Sequence, residues 1–230
     1  MDMPGTPAAE EVPQQTKPRR RAAPRRTAAP GQDRAVASRE ALLAAARDLF
    51  TTRGYAATNM ADIVARAGTS VGLPYYYFGS KKQIFHALWC DYQAKQEAKT
   101  RTAIAAARAA GETDGGRLLL AGMRAYLEGA WEASDLIPMM LGHDRPSGFE
   151  SVTEEASRRW RKRNGALLSG HDPVQAQVVN VILMSSLGGV CTELAGCQTR
   201  AQALLLIDLA MELWTPMVVI TGGGTPPVPG

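Results

Sequence analysis

Three histidines and three cysteines are the side chains of this sequence best suited to bind a metal or attack a substrate, but their spacing does neither. His86, His143 and His171 are scattered, and Cys90, Cys191 and Cys197 match neither a CxxC metal pair nor a disulfide framework. There is no HExxH, no phosphate-binding glycine loop and no Gly-x-Ser-x-Gly elbow. The expectation is a chain that is not an enzyme and needs no metal or cofactor. The odd cysteine count suits a reducing cytoplasm. Cys191 and Cys197, with Arg200 near the latter, leave a thiol-redox role as an alternative.

The stretch SVGLPYYYFGSK, Ser70 to Lys81, offers different chemistry. Consecutive helical residues point about 100° apart, so Tyr75, Tyr76 and Tyr77 cannot share one buried face. At least one ring must meet something outside the core. Phe78 and part of Tyr75 are expected to cover the core, and Tyr76 is not. Pro74 is expected as the fourth helical residue after a Ser70 cap, forfeiting a hydrogen bond at the edge of the first turn.

Charge divides along the chain. The first 82 residues carry +6 and the remainder −2, the pattern of a polyanion-binding end joined to a separate body. With 45% apolar and only 6% aromatic residues, rich in Ala and Leu, the composition favours helices over sheets. Residues 1–35 repeat Pro, Arg and Ala, cannot bury enough surface to offset chain entropy, and read as a disordered basic arm. They contain no apolar signal-peptide run. The most apolar C-terminal run, ALLLIDLAMELW, carries Asp208 and Glu212 and makes a poor membrane span, so no membrane partner is expected.

The elements that must position the tyrosines follow from periodicity. Leu42, Leu43, Ala46, Leu49 and Phe50 mark a helix over 37–53, ended by Gly54. A second spans 60–67, capped by Thr58 or Asn59 and ended by Gly68. A third runs from Val71 to about Phe78, and Ser80 opens a long fourth with an S-K-K-Q capping box. Further helices are expected over 117–134, 136–141, 150–168 and 172–194, and a last one begins at the Thr199/Gln202 capping box and is disrupted near Pro216.

Helices two and three, joined by AGTS, form a helix-turn-helix, and in a DNA-binding unit of this kind the second helix lies in the major groove. From a helix ending RGY through ATNMADIVARAGTSVGLPYYYFGSKKQIF, the sequence closely resembles the N-terminal domain of TetR-family transcriptional regulators, over residues 38–89. The resemblance implies an all-α fold: an N-terminal three-helix helix-turn-helix DNA-binding domain (36–82), then a helical ligand-binding and dimerisation domain (83–221) and a disordered tail (222–230). It implies a cytoplasmic homodimer that binds an inverted-repeat DNA operator as a repressor and is released by a small-molecule effector. Tyr75, Tyr77 and Lys81 match the family's phosphate-binding positions, while Tyr76 faces the groove. Hydroxyl donors suit phosphate oxygens, and the rings can pack on sugars and thymine methyls. The DNA-binding set is Arg34, Thr58, Asn59, Ala61, Ser70, Val71, Gly72, Leu73, Tyr75, Tyr76, Tyr77 and Lys81. Pro74 departs from the family's usual leucine, and Val71, Gly72 and Leu73 bring no side-chain donors to bases.

In the body, the basic cluster around Trp160 has Glu154 and Glu155 four residues before Arg158 and Arg159, which reads as a solvated face. Trp160 is then core or pocket wall. Met123, Tyr126, Trp131, Met139, Met140 and Trp160 are candidates for an apolar ligand pocket. The last two helices are apolar nearly all round and must be buried twice. Val178, Ile182, Gly189, Leu205, Leu209 and Leu213 are assigned to a dimer seam.

Overall fold

The computed structural model describes residues 30–219, His171 aside. Among the described residues the order is α1 (Pro30–Arg53), α2 (Met60–Ala67), α3 (Leu73–Phe78), α4 (Lys81–Ala109), α5 (Gly115–Glu132), a 3-10 turn (Ser134–Leu136), α6 (Ile137–Leu141), α7 (Phe149–Leu167), α8 (Pro173–Gly196) and α9 (Arg200–Val219), with no strand. The chain is all-α, with the helix-turn-helix in its N-terminal third.

Leu42, Ala45, Ala46, Leu49 and Phe50 form the buried stripe of α1. That helix starts at Pro30, ahead of the expected Ala37, so positions 30–35 assigned to the arm are helical. The rest of the arm and the expected tail lie outside the described residues. Asn59 caps α2 in a reciprocal box with Asp62, and Gly68 leaves it left-handed at φ 61°.

The start of α3 corrects two expectations. Val71 and Gly72 form a turn in which Leu73 N–H donates to the Ser70 carbonyl at 3.1 Å, so Ser70 does not cap the helix. Pro74 is therefore the second helical residue, where no intrahelical donor is needed, and its ring is buried. No hydrogen bond is forfeited. Ser80 then caps α4 by accepting from Gln83 N–H at 3.3 Å, the half of the expected box that forms.

The apolar stripe of α4, Ile84, Phe85, Leu88, Trp89 and Tyr92, is buried throughout. Its first part faces α1, and its later part packs along α5. A Cβ at Gly129 of α5 would run into the Gln96 side chain of α4, which is why glycine stands at that crossing. The basic face of α7 is solvated as expected: Arg158 pairs with Glu154 at 3.0 Å and Arg159 with Glu155 at 3.2 Å.

Asp172 caps α8, accepting from Val174 and Gln175 N–H at 3.0 Å each. On α8, Val179, Leu183, Leu187 and Leu194 are buried, whereas Val174, Val178, Val181 and Ile182 are exposed. On α9, Ala203, Ile207, Ala210, Trp214 and Val218 are buried, and Leu205, Leu209 and Leu213 are exposed. The α9 capping box between Thr199 and Gln202 forms in both directions. The helix continues through Pro216 instead of breaking there, because only the bond from the missing N–H is lost, close to the helix end.

One short segment ties the helix-turn-helix to the helical body. Arg47 of α1 makes a two-pronged bond to Asp135, at 2.8 and 2.7 Å. Asp144 accepts from Ala56 N–H at 2.9 Å, and Lys82 donates to the Ser147 carbonyl at 2.9 Å. Gly54, at φ 91°, is required twice over, since a Cβ there would also collide with the Asp144 carboxylate. Phe149 closes the joint, edge-on to Phe85 at 4.9 Å and to Trp89 at 5.7 Å between ring centroids.

Phe149 is 2% exposed, so Phe149→Ala removes packing that nothing nearby can replace. We expect a loss of about 3–5 kcal/mol of unfolding free energy in a denaturant titration. A loss below about 1 kcal/mol would show that this joint contributes little to stability.

Candidate nucleic-acid interface and ligand cavity

The helix-turn-helix presents a compact exposed surface. Tyr76 is 80% exposed, Val71 71% and Tyr75 54%, with Ala61, Ser70 and Gly72 exposed beside them. Arg34 is exposed on α1. Asn59 is exposed too, its Oδ1 accepting from Asp62 N–H at 2.9 Å. This is an aromatic and apolar face with phenol hydroxyls as its donors, suited to phosphate oxygens and thymine methyls more than to bidentate reading of base edges.

Other members of the expected DNA-binding set are turned inward. Thr58 is 1% exposed, and its hydroxyl donates to the Gly54 carbonyl at 2.8 Å, so its side chain is an internal strut. Leu73 and Tyr77 pack against the core. Tyr77, rather than Tyr75, thus shares the covering role with Phe78, whose ring also lies 5.3 Å beneath the Arg39 guanidinium. The helix rotation that buries Leu73 necessarily buries Tyr77, four residues on.

Lys81 is engaged within the domain. Its ammonium donates to the carbonyls of Tyr55 at 2.7 Å and Thr58 at 2.6 Å, and lies 4.1 Å from the centre of the Tyr55 ring. An ammonium has three donors, and the two carbonyls take two of them. The clip has a structural purpose: it fastens the turn before α2 to the first turn of α4. In sequence the lysine looks like a surface charge, and only the fold brings two carbonyls to it.

A cavity of about 430 Å³ lies in the body, lined from α4 by Trp89 and Tyr92, from α5 by Tyr126, from α6 by Met140, from α7 by Trp160 and from α8 by Leu187. Of the expected pocket residues, Tyr126, Met140 and Trp160 reach this wall. Met123, Trp131 and Met139 do not line it. Met123 is fully buried in the core, and Met139 is buried beside Met140 on a one-turn helix whose adjacent residues point apart. Trp89, on the buried stripe of α4, and Arg145, in a loop without periodicity, also line the cavity.

Tyr126 stands edge-on to Trp160 at 5.2 Å. Burial pushes the Tyr92 phenol up to about 12 and the Tyr126 phenol well above its ordinary value. Both are neutral hydroxyls at physiological pH. Burial likewise pushes the Cys191 thiol up to about 12. Cys90 is also raised by burial, which outweighs the lowering by Arg159. The thiolate needed for redox sensing is thus disfavoured at both positions. Among the described residues no group of His, Cys, Asp and Glu could hold a metal ion.

A helix-turn-helix fastened to a helical body with an internal cavity defines a class of DNA-binding-domain proteins, and comparison narrows it. Residues 42–88 match the model of the bacterial regulatory proteins, tetR family. Over this domain the chain is similar to the tetR family of bacterial regulatory proteins. The HTH-type transcriptional repressor Rv3405c of Mycobacterium tuberculosis is 48% identical over 48 residues, 21% of this chain and 26% of that protein. The match therefore spans about a quarter of the relative's length. A TetR-like transcriptional regulator from Rhodococcus aligns with a TM-score of 0.60 at 21% identity, over 79% of this chain and 93% of its own. The transcriptional regulator FadR of Bacillus subtilis, solved in complex with stearoyl-CoA, aligns with a TM-score of 0.61 at 14% identity, over 80% and 99%. At these identities the structural likeness establishes the fold.

Two outcomes follow from the internal roles of Lys81 and Cys191. Lys81→Met should cost about 1.5–3 kcal/mol of stability, the scale of lost charge-assisted hydrogen bonds, even though the Tyr55 carbonyl keeps the Thr58 N–H as a donor; an unchanged denaturation midpoint would show that the clip is idle. A thiol near 12 instead of its ordinary 9.0 holds roughly a thousandfold less thiolate at pH 8. Ellman's reagent should accordingly label Cys90 and Cys197 in the native protein, and Cys191 only after unfolding.

Proposed function

We propose that this protein is a homodimeric transcriptional repressor that binds an inverted-repeat operator and is released by a small molecule held in the cavity of its body. The observation that carries the reading is the exposed face made by Val71 in the turn and by Tyr75 and Tyr76 on the second helix of a helix-turn-helix similar to that of the tetR family. On DNA, Tyr76 meets the groove, and Tyr75 and the third donor of Lys81 meet phosphates. Ala61, Ser70 and Gly72 complete the contact surface, with Arg34 and Asn59 at its edges. With few side-chain donors for bases, sequence preference rests on methyl contacts and DNA shape.

Dimerisation is supported by the unpartnered faces of α8 and α9. Val178, Ile182, Leu205, Leu209 and Leu213 are each 45% to 72% exposed, and Gly189 has open space where a Cβ would be. An exposed apolar area of this kind marks an interaction surface. Both helices are also long and apolar enough to cross a membrane by composition alone. The ion pair of Asp208 with Arg124 of α5 and the bond from Asn180 to the Arg161 carbonyl at 2.9 Å favour a protein seam over lipid. Effector release is supported by the cavity, which lies beside α4, and a ligand holder is known in the same fold, FadR with stearoyl-CoA. A ligand that prefers the DNA-incompetent state would shift operator affinity by its difference in affinity for the two states.

Selection from random DNA tests the reading. It should return an inverted repeat with half-sites about one helical turn, roughly 34 Å, or more apart. The Leu205→Glu/Leu209→Glu double variant should sediment as a folded monomer at micromolar concentration and lose at least tenfold in operator affinity. Full-affinity binding of a single half-site by that monomer would overturn the dimer, and recovery of no sequence at all would overturn DNA recognition.

A further inference from the structure

We propose that the cavity takes an amphipathic organic anion, a carboxylate or similar acidic head held by Arg145 and an apolar body held by the aromatic wall. The proposal rests on the effector reading above and specifies its ligand.

The observation is a mismatch of charges at the wall. Arg145, Arg159 and Glu97 line the cavity. Glu97 is taken by Arg163 at 3.0 Å, and Arg159 by Glu155 at 3.2 Å. Arg145 has no carboxylate within ion-pair distance among the described residues, and its Nε is buried without a hydrogen-bond partner. A buried donor left unpaired is costly, more so on a charged group. A guanidinium offers a planar fork that suits a carboxylate in two-pronged fashion. An anion that draws this fork into the cavity removes that penalty and also matches its charge, where a neutral acceptor supplies the hydrogen bond alone.

The rest of the wall sets the ligand's body. Trp89, Tyr126, Met140, Trp160 and Leu187 give a predominantly apolar surface, and the neutral phenol of Tyr126 adds no charge. A volume of about 430 Å³ falls within the roughly 300–1,000 Å³ of small-molecule sites. A cation could sit against these rings, but it would meet Arg145 and Arg159 while the carboxylate of Glu97 is already paired.

Arg145 also adjoins Asp144, which accepts from Ala56 N–H beside the helix-turn-helix. An acid that draws Arg145 toward the cavity pulls on that bond. Head-group recognition and the domain joint are thus one residue apart.

The test uses two series with one skeleton each and three heads: octanoate, octanamide and octylamine, and 4-phenylbutanoate, 4-phenylbutanamide and 4-phenylbutylamine. Binding is read by calorimetry and by the fluorescence of Trp89 and Trp160, and release by operator titration. In the wild-type dimer the acids should bind at least tenfold tighter than the amides and release operator. Arg145→Gln should bring acid and amide within about twofold, and Arg145→Lys should restore part of the gap. Far-UV dichroism and unliganded operator affinity should stay at wild-type values in both variants. Equal affinities for acid and amide, or tighter binding of the amine, would overturn the anion while leaving an effector cavity in place. Inertness of all six compounds would overturn the effector reading itself.

Discussion

The apolar stripe of α4 has to be covered by two different sets of helices, and the molecule is organised around that requirement. Phe85 lies 5.9 Å from Phe50 and 5.3 Å from Tyr55 on the DNA-binding side, while Trp89 and Phe85 both receive the edge of Phe149 from the body. Neither domain buries this stripe alone. The consequence is a joint of aromatic rings at interior density, which moves between alternative packings more readily than it bends.

The segment from Asp135 to Phe149 makes that joint directional. At its ends Asp135 and Asp144 hold Arg47 and Ala56 N–H of the helix-turn-helix; between and beside them Ile137, Met140, Leu141 and Arg145 line the cavity. The same short run of chain therefore touches both the helix-turn-helix and the cavity of the body. Its bonds to the domain are partly exposed, and the Arg47–Asp135 side chains are 41% and 47% accessible. Exposed ion pairs of this kind stabilise by no more than about 1 kcal/mol, so the packing of Phe149 carries the stability and the polar contacts set the register.

The exposed face of the helix-turn-helix obeys a different constraint. Burying Leu73, Pro74 and Tyr77 fixes the rotation of α3 and leaves Tyr75 and Tyr76 outward. Lys81 fixes its position from below by gripping the Tyr55 and Thr58 carbonyls. The recognition surface proposed for it, made mostly of rings and methyl groups, needs such firm seating, because van der Waals contacts fall off with small displacements more steeply than charge attraction does.

Local signals in the chain were sufficient for the helices and most of their ends. Asn59, Gly68, Ser80, Asp172 and Thr199 act within a turn of themselves, so their roles can be read without the fold. The double apolar faces of α8 and α9 were equally legible, since periodicity alone says that both sides need cover. What the sequence could not contain is the outcome of long-range meetings. Thr58 and Lys81 look like surface polar residues until the fold supplies carbonyls for them. Met123 and Met139 look like Met140 until helix rotation sends only the last into the cavity. Arg145 sits in a loop with no pattern, and on the cavity wall it meets a Glu97 already paired with a residue 66 positions away from that glutamate. Those partners are far apart in the chain, and only tertiary packing decides which of them meet.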